Sequence, residues 1–187
     1  MKPLFFSAIF VLGFLTSSFA QVSLGAHVAP AFPLGTFGNT AQTGFGFDVE
    51  ARYSSSSVPT MVSASIGLHS FALMSGGMNS GLNYNITPIT FSLLYLLSEE
   101  AIQPYLGLGV GINRIAYEAG GFNVSDSHFG VAPTFGIQYA SSEQIRFDAN
   151  IKYQLIFANE NGSNQRSIDY NVIYVPFNLG VFYSFGQ

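Results

Sequence analysis

The run Ile145-Arg146-Phe147-Asp148-Ala149-Asn150-Ile151-Lys152-Tyr153-Gln154-Leu155-Ile156-Phe157 decides the fold. Ile145, Phe147, Ala149, Ile151, Tyr153, Leu155 and Phe157 fall on one side; Arg146, Asp148, Asn150, Lys152 and Gln154 fall on the other. A helix turns every 3.6 residues and would scatter those polar side chains around its axis. A strand, with a period of two, keeps them on one face. Residues 45–53 repeat the pattern, with Phe45, Phe47, Val49, Ala51 and Tyr53 opposite Gly46, Asp48, Glu50 and Arg52.

Working outward from these two segments, six more strands are expected, at 22–28, 61–73, 84–97, 104–117, 128–140 and 173–185. In 61–73, Val62, Ala64, Ile66 and Leu68 oppose Ser63, Ser65, Gly67 and His69; in 104–117, Leu106, Leu108, Val110 and Ile112 oppose Gly107, Gly109, Gly111 and Asn113. In 84–97, Ile89, Phe91, Leu93, Tyr95 and Leu97 oppose Pro88, Thr90 and Ser92, with the Leu93-Leu94 and Leu96-Leu97 pairs blurring the end. Connections 54–60, 98–103 and 141–144 are short, while 30–43, 74–83, 118–127 and 158–172 are longer and rich in Gly, Asn and Ser. Eight strands joined by alternating short and long connections predict an antiparallel up-and-down β-barrel with short periplasmic turns and long outer loops.

Charged residues make up 9% of the chain, against roughly 25% in soluble domains. No apolar stretch beyond residue 20 is long enough for a membrane helix. Low charge without such a stretch suits a transmembrane barrel, in which only alternate residues meet lipid. A soluble barrel of lipocalin type would carry many Lys and Glu outside, but the hydrophilic faces here are mostly Gly, Ser, Thr and Asn. Two aromatic girdles are expected: Tyr53, Tyr95, Tyr105, Tyr139, Phe147 and Tyr183 near the periplasmic rim, and Phe45, Phe71, Tyr84, Tyr117, Phe129, Phe157 and Tyr174 near the loops.

Ahead of the strands, Lys2, the apolar run from Leu4 to Leu15 and Ser18-Phe19-Ala20 read as a signal peptide over residues 1–20, cleaved before Gln21. Residues 21–187 then form one barrel domain. Six basic residues, one of them Lys2, face ten acidic ones, so no basic stripe exists for nucleic acid. The absence of Cys excludes disulfides, thiolate chemistry and lipid attachment at an N-terminal Cys.

At Pro104-Tyr105-Leu106-Gly107-Leu108-Gly109-Val110-Gly111, at 88–95 and at Val181-Phe182-Tyr183-Ser184-Phe185, the chain resembles the small OmpA/OmpX-type outer-membrane β-barrel families, also described as porin-like. The resemblance implies a bacterial outer-membrane location. Its last segment is similar to the alternating, aromatic-ended signal that the barrel-assembly machinery reads, although Gly186 and Gln187 follow the aromatic here.

With the apolar face toward lipid, Asp48, Glu50, Arg52, His69, Arg114, Arg146, Asp148 and Lys152 are expected to line the lumen. An eight-stranded barrel is just wide enough to be filled by its side chains, so these charges are expected to pair and plug it. Asp48 is placed near the level of Lys152, and Arg52 near Asp148. The same charges could instead set ion preference in a narrow pore. Asp126-Ser127-His128 and His69-Ser70 have residue types used in hydrolysis, but consecutive residues in an extended chain point alternately apart and form no triad alone. His27, His69 and His128 show no metal spacing, and Gly107, Gly109 and Gly111 lack the helix that a phosphate loop requires. Loop 158–172 is the most polar and the natural place for surface recognition.

The reading is thus a non-enzymatic, monomeric outer-membrane barrel with a structural or surface-interaction role, with no catalytic, cofactor or metal site. Its partners are outer-membrane lipid and lipopolysaccharide, and the assembly machinery during biogenesis; its surface ligand is open. A narrow channel for small or apolar solutes is the alternative, and a lipid-modifying enzyme the third.

Overall fold

The computed structural model describes residues 20–55, 58–75, 78–119, 122–161 and 167–185. The expected signal peptide, up to residue 19, and Gly186 and Gln187 lie outside them, as do residues 162–166 of the polar loop. The described strands are β1 (Ala20–Leu34), β2 (Gly44–Ser55), β3 (Thr60–Ser75), β4 (Met78–Leu96), β5 (Ile102–Ala119), β6 (Phe122–Ala140), β7 (Ile145–Lys152), β8 (Gln154–Asn161) and β9 (Ser167–Phe185), with one helical turn, α1 (Gly35–Gly38). All pairings are antiparallel, and β9 returns to β1, so the sheet closes on itself and no spanning edge is left open.

β7 and β8 are two halves of one ribbon, since both pair with β6 and β9. Sequence reading made them one strand, and two prolines explain the break. Pro133 of β6 lies between the Thr134–Lys152 and Val131–Leu155 pairs, and Pro176 of β9 between the Ile151–Phe177 and Gln154–Tyr174 pairs. Neither has an N–H to donate. The wall holds there through Tyr153 N–H, which donates to Pro133 O at 2.9 Å. Lys152 and Gln154 both stay buried inside, so the alternation runs through the break. Eight ribbons therefore cross the wall, as expected.

Register fixes the barrel's girth. Crossing from Leu24 through Ala51, Ala64, Phe91, Val110, Val131, Leu155 and Ile173 leads back to β1 at Leu34, ten residues beyond the start. For eight strands that stagger means a tilt of about 40° and a backbone radius of roughly 8 Å. Such a lumen holds side chains and little else.

Leu24, Phe47, Leu68, Phe91, Leu108 and Phe135 all point outward and are 46–64% exposed, with nothing from the chain covering them. Asp48, Glu50, Arg52, His69 and Asp148 point inward and are at most 4% exposed. No soluble protein dresses itself in that order; a barrel in lipid does.

The girdles need correction. Tyr95, Tyr139, Phe147, Tyr183, Phe45, Phe129 and Phe157 are outward and exposed, and Tyr53 is half-buried on the same side. Tyr105, Phe71, Tyr84 and Tyr174 instead point into the lumen and are buried. The Tyr117 side chain lies outside those described. Several strands are also longer than expected. β1 runs on to Leu34, β4 starts at Met78, β6 at Phe122 and β9 at Ser167. Above the membrane both faces of a ribbon meet water, so the hydrophobic alternation that marks a strand fades while its hydrogen bonds continue.

Candidate functional site

The site is the lumen, and it is built in layers. In the periplasmic half Asp148 of β7 is the hub. It accepts hydrogen bonds from Arg52 Nη1 on Oδ2 at 2.7 Å, from Asn150 Nδ2 on Oδ1 at 2.7 Å and from His27 Nε2 on Oδ1 at 3.0 Å. The Tyr105 hydroxyl lies 3.1 and 3.0 Å from the two oxygens and donates to them. Arg52 spends its other donors on Glu50 Oε1 (2.8 Å), Gln138 Oε1 (3.3 Å) and the Tyr105 oxygen (3.2 Å). Its guanidinium lies 4.0 Å from the centre of the Phe182 ring. Lys152 closes the layer on Glu50 Oε2 at 3.2 Å, and Asn178 Nδ2 donates to Asn150 Oδ1 at 2.7 Å. Every one of these side chains is buried, and ions removed from water in this way persist only when they are paired and hydrogen-bonded.

Glycines make the room. A Cβ on Gly136 would meet the hydroxyl end of Tyr105, and one on Gly25 would meet the Phe182 ring. Both glycines are register partners of the bulky residue on the adjacent strand, and they leave its side chain room to lie across the lumen wall.

Toward the outer rim the filling changes character. His69 Nε2 lies 3.3 Å from each oxygen of Asp48, and its ring packs on Tyr174 with centroids 5.4 Å apart. Above them Phe71, Tyr174, Tyr84, Ile86, Ile115 and Ile156 form a buried apolar cluster. Phe37 of α1 is driven into it, 5.1 Å from both the Phe71 and Tyr84 rings. Gly35, at φ 59, adopts the left-handed turn that lets the chain leave β1 and fold over the opening. The segment is tied down by Gln42 N–H to Ala72 O (2.9 Å) and Met74 N–H to Thr40 O (2.8 Å). Sequence reading made 30–43 an outer loop; its middle is instead a cap on the lumen.

At the periplasmic end Arg146 Nη2 donates to Gln21 Oε1 at 2.7 Å, and the Ser23 and Ser184 hydroxyls lie 2.9 Å apart. A recess of about 810 Å3 opens there, lined by Gln21, Gln144, Arg146 and Ser184 among others. None of the residues that line it belongs to the ionic layer.

Of the eight residues expected in the lumen, seven face it. Arg114 does not: it is exposed on the outer face, on the same side of β5 as Leu106, Leu108, Val110 and Ile112. Its parity in the sequence already said so. Without it, among the described residues three carboxylates (Asp48, Glu50, Asp148) share the lumen with three basic side chains (Arg52, Arg146, Lys152). Arg52 meets Asp148 as expected. Lys152 meets Glu50 rather than Asp48, whose partner is His69. Sequence reasoning missed His27 and Tyr105; both share parity with small inward residues, Ser23 and Gly25 for the one, Gly107 and Gly109 for the other. His128 is buried, with Nε2 4.0 Å from Asp126 Oδ2, while Ser127 is exposed on the opposite face, so the three form no triad. Among the described residues no cluster of three or more His, Asp or Glu is placed to hold a metal.

A closed, tilted, eight-ribbon barrel with an oily exterior and a hydrogen-bonded polar interior defines a class: integral transmembrane β-barrel proteins. The chain belongs to the outer membrane protein beta-barrel domain family, whose sequence model matches residues 6–185. It is a protein of the bacterial outer membrane. Neisserial surface protein A superposes with a TM-score of 0.63 at 20% identity, over 90% of this chain and 98% of that one. The attachment invasion locus protein of Yersinia pestis, solved with the heparin analogue sucrose octasulfate, gives 0.59 at 17% identity over 89% and 99%. A major outer membrane protein of Thermus thermophilus gives 0.55 at 15% over 89% and 99%. At these identities the likeness is one of fold. No curated protein matches the chain in sequence.

Proposed function

We propose that the protein is a closed, non-enzymatic monomeric barrel whose work is structural or done at the cell surface. One observation carries this reading: the lumen is obstructed twice in series, by the Arg52–Asp148–Glu50–Lys152 layer and by the Phe37–Phe71–Tyr84 cap. An ion crossing it would have to break both. Proteins of the same fold named for the cell surface and for attachment give the surface role a precedent in architecture alone. Export through a cleaved signal peptide, and recognition of Val181, Tyr183 and Phe185 by the barrel-assembly machinery, belong to the same proposal; those three side chains all face outward.

The test is conductance. Purified protein in planar bilayers is expected to give no stable channel, and a large, steady single-channel current overturns the closed barrel. A narrow channel is the second reading, favoured by the recess around Arg146 and Gln21, which offers a vestibule from the periplasm. The same recording decides between them.

A further inference from the structure

We propose that Arg114, with Thr87 and Ser127 beside it, binds a phosphate on the headgroup of an outer-leaflet glycolipid. The proposal rests on the membrane location and not on whether the lumen conducts. Among the described residues Arg114 is the single Lys or Arg on the lipid-facing side; Arg52, Arg146 and Lys152 all turn inward. A cation there needs a reason, since the apolar belt beneath it offers nothing polar.

Its height supplies one. On β5 the outward side chains run Ile102, Pro104, Leu106, Leu108, Val110 and Ile112 before reaching Arg114. Ten residues at about 3.3 Å each, tilted by about 40°, span roughly 25 Å, the height of the apolar band of an outer-membrane barrel. Arg114 is thus the first outward side chain above that band. The neighbouring strands change at the same level. Ile89, Ile112 and Phe129 are paired neighbours and all apolar; two residues higher the paired neighbours are Thr87, Arg114 and Ser127, and above them come Asn85 and Ser125. A sharp border between oil and hydroxyls therefore runs across β4, β5 and β6, with one guanidinium at its centre.

Headgroup phosphates of the outer leaflet lie at this depth. Arg114 Nη2 donates to Ser125 Oγ at 3.1 Å, which holds the guanidinium against the wall and leaves its other N–H groups for a second acceptor. A planar guanidinium pairs with two phosphate oxygens at once, and flanking hydroxyls can donate to the third. Asp126, the nearest acid in the register, pairs with Ile115 and belongs to the opposite face; it accepts from Ser127 N–H and lies 4.0 Å from His128 Nε2.

Native mass spectrometry of the full protein in detergent, titrated with bis-phosphorylated lipid A, tests the site. Arg114→Ala is expected to weaken retention about tenfold, and Ser127→Ala, which leaves the charge in place, about threefold. Dephosphorylated lipid A should bind the native protein and Arg114→Ala alike, and millimolar inorganic phosphate should leave the bound lipid A in place. Unchanged heat-modifiable gel mobility shows that each variant is folded. Equal retention of phosphorylated lipid A by the native protein and Arg114→Ala overturns the proposal. So does equal retention of both lipid forms by the native protein, or displacement by inorganic phosphate alone, which would make the site one for free anions.

Discussion

In its periplasmic half the lumen is held shut by ions that satisfy one another; toward the outer rim it is held shut by Phe37, Phe71, Tyr84 and Ile86 with no charge at all. The two fillings occupy the same narrow tube and fail differently. Burial of an apolar ring is a sum of small contacts, so loss is graded. Asp148, by contrast, compensates Arg52 and accepts from Tyr105, Asn150 and His27, so removing it strands several groups together. The polar layer is all-or-none, and the apolar cap is not.

Asp148→Ala is accordingly expected to have the largest effect, about 3–5 kcal/mol of destabilisation, because Arg52 is left buried without one of its two carboxylate partners. The chain has no Trp, so urea unfolding in lipid vesicles followed by tyrosine fluorescence or gel mobility reads the loss. Phe71→Ala should cost about 3 kcal/mol by cavity formation, while Phe71→Leu costs only about 1 kcal/mol. That gradation is what the ionic layer should lack. Replacing both partners, Arg52→Met with Asp148→Leu, leaves Glu50 and Lys152 to pair with each other at 3.2 Å. The double variant should therefore be more stable than the two single losses imply, by a coupling of about 1–3 kcal/mol. The smallest effect is a null one. Raising salt from about 0.1 to 1 M should move the stability of the native protein by less than about 0.5 kcal/mol, since screening acts on exposed charges and these are buried.

Much of this was legible in the sequence, and parity carried it. The faces of β2, β3, β5 and β7 follow from alternation, and seven of eight lumen residues with them. Parity outranks residue type. Tyr105, Phe71, Tyr84 and Tyr174 are aromatic and near a rim, which suggests a girdle, yet Tyr105 shares its face with Gly107 and Gly109 and all four point inward. Arg114 is charged, which suggests the lumen, yet it shares its face with Leu106 and Ile112 and points outward. What lay beyond the sequence was register. Whether Lys152 meets Asp48 or Glu50 depends on a shift of one pairing level, and that is set by closure of the whole ring. The cap made by α1 was hidden for another reason: a lone Phe37 in a Gly-rich loop looks the same whether it points to solvent or into a hole.

A lumen closed by these two fillings has no water path, and thiol accessibility tests this most directly because the chain has no native Cys. Single Thr90→Cys and Ser92→Cys variants place a thiol inside, at positions only 5% and 8% exposed, while Ser142→Cys places one in an exposed periplasmic turn. In lipid vesicles a membrane-impermeant methanethiosulfonate reagent should label residue 142 fully and leave 90 and 92 unmodified from either side. Labelling of 90 or 92 at the rate of 142 would contradict the closed barrel.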